Sequence, residues 1–325
     1  MVALKVDQIQ NTAKSALLAH GAADWIAGSV ADAIARAEAF GNRICGLYYL
    51  ESYCLQLKSG RVKGDVEPVV TRPRPGFVKV DAGFGFAQPA FERALPLAQQ
   101  AAQENGIAVL AVTHAHTCTS LGYFTEMIAE RDLIGIGFTN ASPVVAPPGG
   151  RDRVIGTNPI ACSVPGSDGQ LRMHFDFSTS AVALGKITMA KAAGEKIPLG
   201  WAVDKDGQST DDPGAALDGA MVSAGGYKGW GFGLMAEMLA AGLTGGVSSL
   251  DVKPLKAPEG APHDLGQLYI LIDPSMSDVF GERFERVAQA VAAQDGARIP
   301  GAGRTPKQMV QVPDALWSLV LDLAH

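Results

Sequence analysis

Apolar residues recur at three- and four-residue steps through residues 7–40. Ala13, Ala16 and Leu17, then Trp25, Ile26, Val30, Ile34 and Ala37, give the period of helices that bury one face. Gly21 and Gly28 mark or weaken the joints between them. A further helix is expected over 47–57, stopping at Ser59-Gly60. Val69 and Val70 lead into Arg72-Pro73-Arg74-Pro75-Gly76, which reads as a turn or linker. A strand follows at 77–81. An amphipathic helix over 91–104 is closed by Asn105-Gly106, and a short apolar strand follows at 107–112. The pattern then gives a helix over 121–131 and a strand over 133–139. Strands at 161–164 and 173–177 flank a hairpin turn at Gly166-Ser167-Asp168-Gly169. A helix over 180–193 and a strand over 201–203 come next. Residues 227–243 are so evenly apolar that they read as a core helix. A strand at 268–272 and helices over 280–294 and 314–323 complete the chain. Helices thus lie at both ends with a mixed sheet region between, and no internal repeat is visible.

Charged residues make up 18% of the 325-residue chain, below the roughly 25% usual for soluble domains. Such a surface points to an oligomer that hides part of it. The net charge of −6 argues against nonspecific nucleic-acid binding. Cys45, Cys54, Cys118 and Cys162 form no CxxC pair and fit neither a zinc ribbon nor a disulfide framework, so reduced thiols are expected. The N-terminus shows no signal pattern, and Gly and Pro break every long uncharged stretch. A cytoplasmic protein without a membrane span is expected.

The densest chemistry is a Gly/Asn/Pro-rich centre running from Thr139 to Ile160. No GxGxxG opens a helix after a strand, so these residues do not build the usual doubly wound nucleotide site. His114-Ala115-His116 follows an apolar strand; such residues serve acid/base work, or are solvated loop histidines. No metal-binding spacing is present. Asp176-Phe177-Ser178-Thr179-Ser180 reads as a strand end and helix start, with Ser178 or Ser180 as a cap or with free N–H groups for a phosphate. Gly225-Gly226-Tyr227-Lys228-Gly229-Trp230-Gly231 opens the apolar helix as a ligand-approaching loop or a tight turn. Arg298 to Arg304 is a basic loop or a solvated connector, with Arg304 suited to a ribose phosphate. Three anion-facing loops in one acidic chain point to a nucleotide site.

These same segments, with Gly185-Lys186-Ile187, resemble the type-2 malate/L-lactate dehydrogenase family in order and spacing over nearly the whole chain. The resemblance implies an NAD(P)-dependent oxidoreductase with an α/β, non-Rossmann fold. Its central mixed sheet would be joined by helices from both chain ends, and the assembly would be a homodimer. Residues 1–72 plus 275–325 would form a helical substrate and dimer domain, and 73–274 the NAD(P)-binding domain. Two features resemble the family's cyclic imino-acid reductases: Gly60-Arg61-Val62-Lys63-Gly64, and Phe77-Val78-Lys79-Val80-Asp81 with Gly85-Phe86-Ala87-Gln88-Pro89-Ala90. The implied reaction is hydride transfer from NADPH or NADH to the C=N carbon of Δ1-pyrroline-2-carboxylate, giving L-proline, or of Δ1-piperideine-2-carboxylate. A 2-hydroxy-acid dehydrogenase and a catalytically silent dinucleotide-binding dimer are the alternatives.

One departure is large. The family's Ser-His-Gly-x-x-Arg motif matches Ile44-Cys45-Gly46-Leu47-Tyr48-Tyr49 here, so Cys45 takes the place of the proton-handling His and Tyr49 that of the carboxylate-binding Arg. A thiol of ordinary pKa, roughly 8.5, still donates a proton near neutral pH. Cys45 and His116 are therefore the expected catalytic residues. A second family histidine falls on His116 or, in another alignment, on Thr117. Tyr49 and Thr157 are expected at the substrate, with Arg43 or Lys186 supplying the missing charge. The resemblance places His116, Thr117, Cys118, Thr119, Ser120, Asp176, Phe177, Ser178, Tyr227, Lys228 and Arg304 on the cofactor.

Overall fold

The computed structural model describes residues 1–166 and 170–325. Strand β1 (Val2–Lys5) runs into α1 (Val6–Ala19), and α2 (Asp24–Ala39) folds back on it. Gly21, in the left-handed region at φ 98°, makes the joint; Gly28 lies inside α2. After two 3-10 turns, α3 (Leu50–Ser59) ends at Gly60, again left-handed. Ile9, Leu17, Ile26, Ile34, Leu50 and Tyr53 bury their side chains between these three helices.

Next come β2 (Val69–Arg74), β3 (Phe77–Asp81), α4 (Ala87–Asn105), β4 (Ile107–Ala115), α5 (Leu121–Ala129), β5 (Ile134–Thr139), β6 (Ile160–Pro165) and β7 (Leu171–Phe177). The region expected as a linker at 72–76 is mostly strand: β2 runs through Pro73 to Arg74. It is an edge strand, where a proline forfeits no ladder bond on its open side. Residues 167–169, the tip of the expected hairpin, lie outside the described residues. Beyond them come α6 (Leu184–Ala193), β8 (Ala202–Val203), α7 (Pro213–Asp218), β9 (Ala220–Met221), α8 (Tyr227–Glu237), β10 (Leu265–Ile272), α9 (Phe280–Ala292), β11 (Met309–Val312) and α10 (Asp314–Leu323).

Seven strands form one mixed sheet in the order β2-β3-β4-β10-β5-β6-β7, with only β3 and β4 parallel. Helices α4 and α5 cover one face, where Phe91, Phe124 and Tyr269 meet edge to face or tilted. Helix α8 and the π turn after it (Met238–Gly242) lie on the other, through Ala236 and Ala240 against Phe138 and Leu268. The chain ends meet: β1 pairs antiparallel with β11, and α10 packs on α1 and α3. Helix α9 stays apart from that bundle, with Phe284 against Arg172 of β7.

The residues expected as a core helix behave otherwise. Helix α8 buries Gly229, Gly233, Ala236 and Glu237 but leaves Tyr227, Phe232, Leu234 and Met235 exposed, with Met238 and Leu243 beyond them. Even apolarity here reflects a second apolar surface rather than burial within one chain. Among the described residues no helix is long and apolar enough to cross a membrane.

Candidate active site

Asp176 stands at the end of β7, opposite Ala161 of β6. The N-terminus of α5 points at it: Gly122 N donates to Oδ2 at 2.8 Å, and Ser120 Oγ at 3.3 Å. Only glycine fits at 122, because a Cβ there would lie 2.8 Å from the His174 ring and 3.0 Å from Asp176 Cβ. Burial nevertheless outweighs these N–H and O–H donors and raises the carboxyl above its ordinary range.

The charge of Asp176 acts on Cys45, at the end of the first 3-10 turn. Burial chiefly, and Asp176 next, push the thiol up to about 12, partly offset by the Asn42 side chain. Tyr49 follows on the same wall, its hydroxyl pushed up to about 12 by burial first and then by Cys45. It stacks on Tyr53 of α3, with ring centroids 6.0 Å apart. Cys118 is buried beside them, its thiol also held protonated by burial and by Asp176. Thr119, a β-branched residue at φ 59°, carries backbone strain at this point, as functional sites often do. The structure therefore gathers Cys45, Tyr49, Cys118, Thr119, Ser120 and Asp176 into one cluster. The expected thiol donor is therefore a weak one here, since burial pushes it well above the ordinary cysteine range.

His116 does not reach this cleft as a charged acid. Its ring is buried, stacked on His263 at 4.1 Å and bordered by Tyr53 and Phe86. Gln56 donates its amide hydrogens to Leu255 O (2.8 Å) and Ala257 O (2.7 Å), so its oxygen faces His116. His116 Nε2 must be the N–H that donates to it, at 2.8 Å, leaving Nδ1 bare. Burial, then His263 and Arg61, hold His116 well below its usual range and therefore neutral. Thr117 is buried beside it, its hydroxyl 3.4 Å from Thr119 N.

Beside Asp176 opens a groove of about 640 Å³, lined by Asn42, Ser120, Phe177, Arg298 and the loop Gly301 to Arg304. Phe177 exposes a ring stacked on Phe175 at 4.9 Å. The volume, the aromatic face and the free guanidinium of Arg298, which has no acidic partner among the described residues, suit a dinucleotide. Arg304, expected on a phosphate, lines this groove with its charge already paired. It pairs with buried Glu126 and lies over the Phe40 ring. Glu126 also takes Arg36 Nε at 2.9 Å and His174 Nε2 at 3.2 Å, while burial presses His174 down to about 4.

The remaining expected residues form a second group past the end of β7. Thr157 O accepts from Thr179 N at 2.9 Å, and Ala224 N donates to Thr179 O at 2.9 Å, which brings Ser178, Thr157 and the exposed pair Tyr227 and Lys228 to one region. Neither Ser178 nor Ser180 caps a helix, because α6 starts only at Leu184, after Ala183. Sequence reasoning missed Tyr53 and Lys256, and it singled out the basic loop from Arg298 to Arg304 but chose Arg304 rather than Arg298 as its phosphate contact. The spacing of Tyr49 and Tyr53 four apart on one helix face was a usable signal. Among the described residues no group of three or more His, Cys, Asp or Glu side chains is placed to hold a metal ion.

With this geometry in place, similarity to known proteins is informative. Residues 4–311 match the family profile described as malate/L-lactate dehydrogenase. A Δ1-pyrroline-2-carboxylate reductase of Ancylobacter novellus is 37% identical, covering 93% of this chain and 90% of its own. A (2R)-3-sulfolactate dehydrogenase (NADP+) of Chromohalobacter salexigens is 38% identical, with 94% and 90% covered. The crystal structure of Δ1-piperideine-2-carboxylate reductase from Pseudomonas syringae pv. tomato superposes with a TM-score of 0.91 at 32% identity, covering 99% of this chain and 100% of that one.

Proposed function

Because the chain belongs to the malate/L-lactate dehydrogenase family, we propose that it is an NAD(P)H-dependent reductase of cyclic 2-imino acids, converting Δ1-pyrroline-2-carboxylate to proline. The observation that carries this reading is the placing of Asp176, held by Gly122 N and Ser120 Oγ, in a cleft where the motif position of a histidine holds Cys45 and no strong acid stands. Reducing a ketone creates an alkoxide that needs a donor as it forms. A thiol near 12 and a neutral His116 serve that poorly. A protonated cyclic imine brings its own proton, and what it needs is an anion beside its N–H. Asp176 becomes that anion beside the bound cation, whose charge opposes the upward push of burial on the carboxyl.

Ser120, Phe177 and Arg298 would hold the cofactor in the groove. NAD(P)H, when bound, supplies the hydride that adds to the ring carbon. The C=N π electrons then return to nitrogen, which keeps its proton and becomes a secondary amine. Asp176 accepts the N–H hydrogen bond throughout and keeps the C=N bond polarised. Tyr49 and Tyr53 close the opposite side and exclude water. A second copy of the chain would cover the apolar surface of α8.

The similarity to a sulfolactate dehydrogenase supports a second reading, reduction of a 2-oxo acid. Oxidation of NADPH and NADH is followed with Δ1-pyrroline-2-carboxylate, pyruvate and 3-sulfopyruvate, for wild type, Cys45→Ala and Asp176→Asn. The expected result is turnover of the imine, kept largely intact by Cys45→Ala. Asp176→Asn lowers kcat about 100-fold while cofactor affinity persists. Turnover of an oxo acid without the imine would establish the second reading instead.

A further inference from the structure

A substrate carboxylate needs a cation, and the position that carries arginine in the related motif holds Tyr49. Arg43 is exposed, with its charge felt by Glu38. Lys186 is exposed on α6 next to Gly185, which faces Ile44 rather than Tyr49.

A third cation reaches Tyr49 from far along the chain. Lys256 Nζ lies 3.1 Å from the Tyr48 ring centroid, 5.0 Å from that of Tyr49 and 3.5 Å from Tyr48 O. It has no acidic partner among the described residues. The strap that carries it is fixed from beneath. Gln56, fully buried, donates to the carbonyls of Leu255 and Ala257, on either side of Lys256. Arg61, only 3% exposed, donates to Ala261 O at 2.9 Å and also to Ala257 O, and Ser59 Oγ to Pro258 O at 2.7 Å. Burying a guanidinium and an amide costs desolvation, and here both are spent on holding one surface strap. The backbone of Lys256 is thereby set, and the two aromatic faces orient its ammonium without neutralising it.

We propose that Lys256 is the carboxylate-binding residue of the substrate site, standing in for the guanidinium that position 49 lacks. The proposal rests on the reading that the substrate is a 2-imino or 2-oxo carboxylate. An ammonium makes a point contact where arginine makes a fork, so the carboxylate is held by charge with little angular demand.

The test compares wild type, Lys256→Met, Lys256→Arg and, as a control on the same strap, Lys253→Met. Steady-state rates are measured with Δ1-pyrroline-2-carboxylate and with Δ1-pyrroline, which lacks the carboxylate. Calorimetry follows binding of pyrrole-2-carboxylate to the NADP+-loaded protein. Lys256→Met is expected to raise KM for the carboxylate substrate about tenfold or more while kcat changes little, since a charge-assisted contact is lost. Rates on Δ1-pyrroline stay as in wild type, pyrrole-2-carboxylate binding weakens in parallel, Lys256→Arg restores much of both, and Lys253→Met matches wild type. Unchanged KM and affinity in Lys256→Met, or equal losses on both imines, would overturn the assignment. If wild type reduces pyruvate and not the imine, the ring assignment fails alone, and the same KM comparison on pyruvate decides Lys256. If wild type turns over neither and binds no carboxylate, both fail.

Discussion

At position 45 the difference between a residue's ordinary chemistry and its chemistry in place is large. A thiol of roughly 8.5 in water sits near 12 beside Asp176, and the desolvation responsible cannot be read from a run of letters. The motif alignment pointed to Ile44 to Tyr49, but an unburied cysteine was the wrong reference for its thiol. Burial likewise lowers His116 and keeps its ring neutral. Arg304 was drawn to a phosphate because nothing nearby in sequence competes for it; its partner, Glu126, stands on α5, far earlier in the chain. Restoring both changed residues should move the specificity. The double substitution Cys45→His, Tyr49→Arg supplies a titratable imidazole and a bidentate clamp. It is expected to raise kcat/KM for pyruvate at least about tenfold, since acid catalysis and the carboxylate fork each contribute that much or more. Steady-state kinetics on pyruvate and the imine check this, and no gain on pyruvate would show that the charge balance at 45 and 49 does not choose between substrates.

At the level of elements, the contact between α5 and β7 is the tightest constraint on the site. Gly122→Ala would drive a methyl into His174, which cannot yield because Ser163 and Glu126 hold both ring nitrogens. Overpacking of this kind costs about 1–3 kcal/mol. The variant is expected to melt at a lower temperature and to lose kcat, because Asp176 must shift away from the α5 N-terminus. A wild-type melt with unchanged kcat would mean the two elements can slide apart freely. Most of these elements were legible: α4 from its period and its Asn105-Gly106 end, β3 and β4 from apolar runs. Helix α7 was missed, being a single short stretch begun by Asp212, whose side chain accepts from Gly214 N. The strap bearing Lys256 was passed over because Pro and Gly make it look like any connector, and its anchors Gln56 and Arg61 lie nearly two hundred residues earlier.

Across the whole molecule, the low charge content and the exposed apolar face of α8 invite the same test. Phe232 of α8 and Met238 of the π turn after it are more than half exposed, while Ala236 and Ala240 of the same two elements pack on the sheet. A patch of that kind marks an association surface. Light scattering should give twice the 33.8 kDa of one chain, and Phe232→Glu with Met238→Glu should return a folded monomer with reduced turnover. A wild-type monomer would refute the shared face. The sheet itself has a consequence for how the protein is made. Its middle strand, β10, separates β4 from β5, yet it follows both of them far along the chain. At about 5–20 residues per second on the ribosome, β4 and β5 wait on the order of ten seconds with their facing edges bare. Nascent chains of this protein therefore pass through an interval of open strand edges in which a trigger-type chaperone has something to hold, and in which crowded polysomes invite one unfinished chain to take the place reserved for another's last central strand.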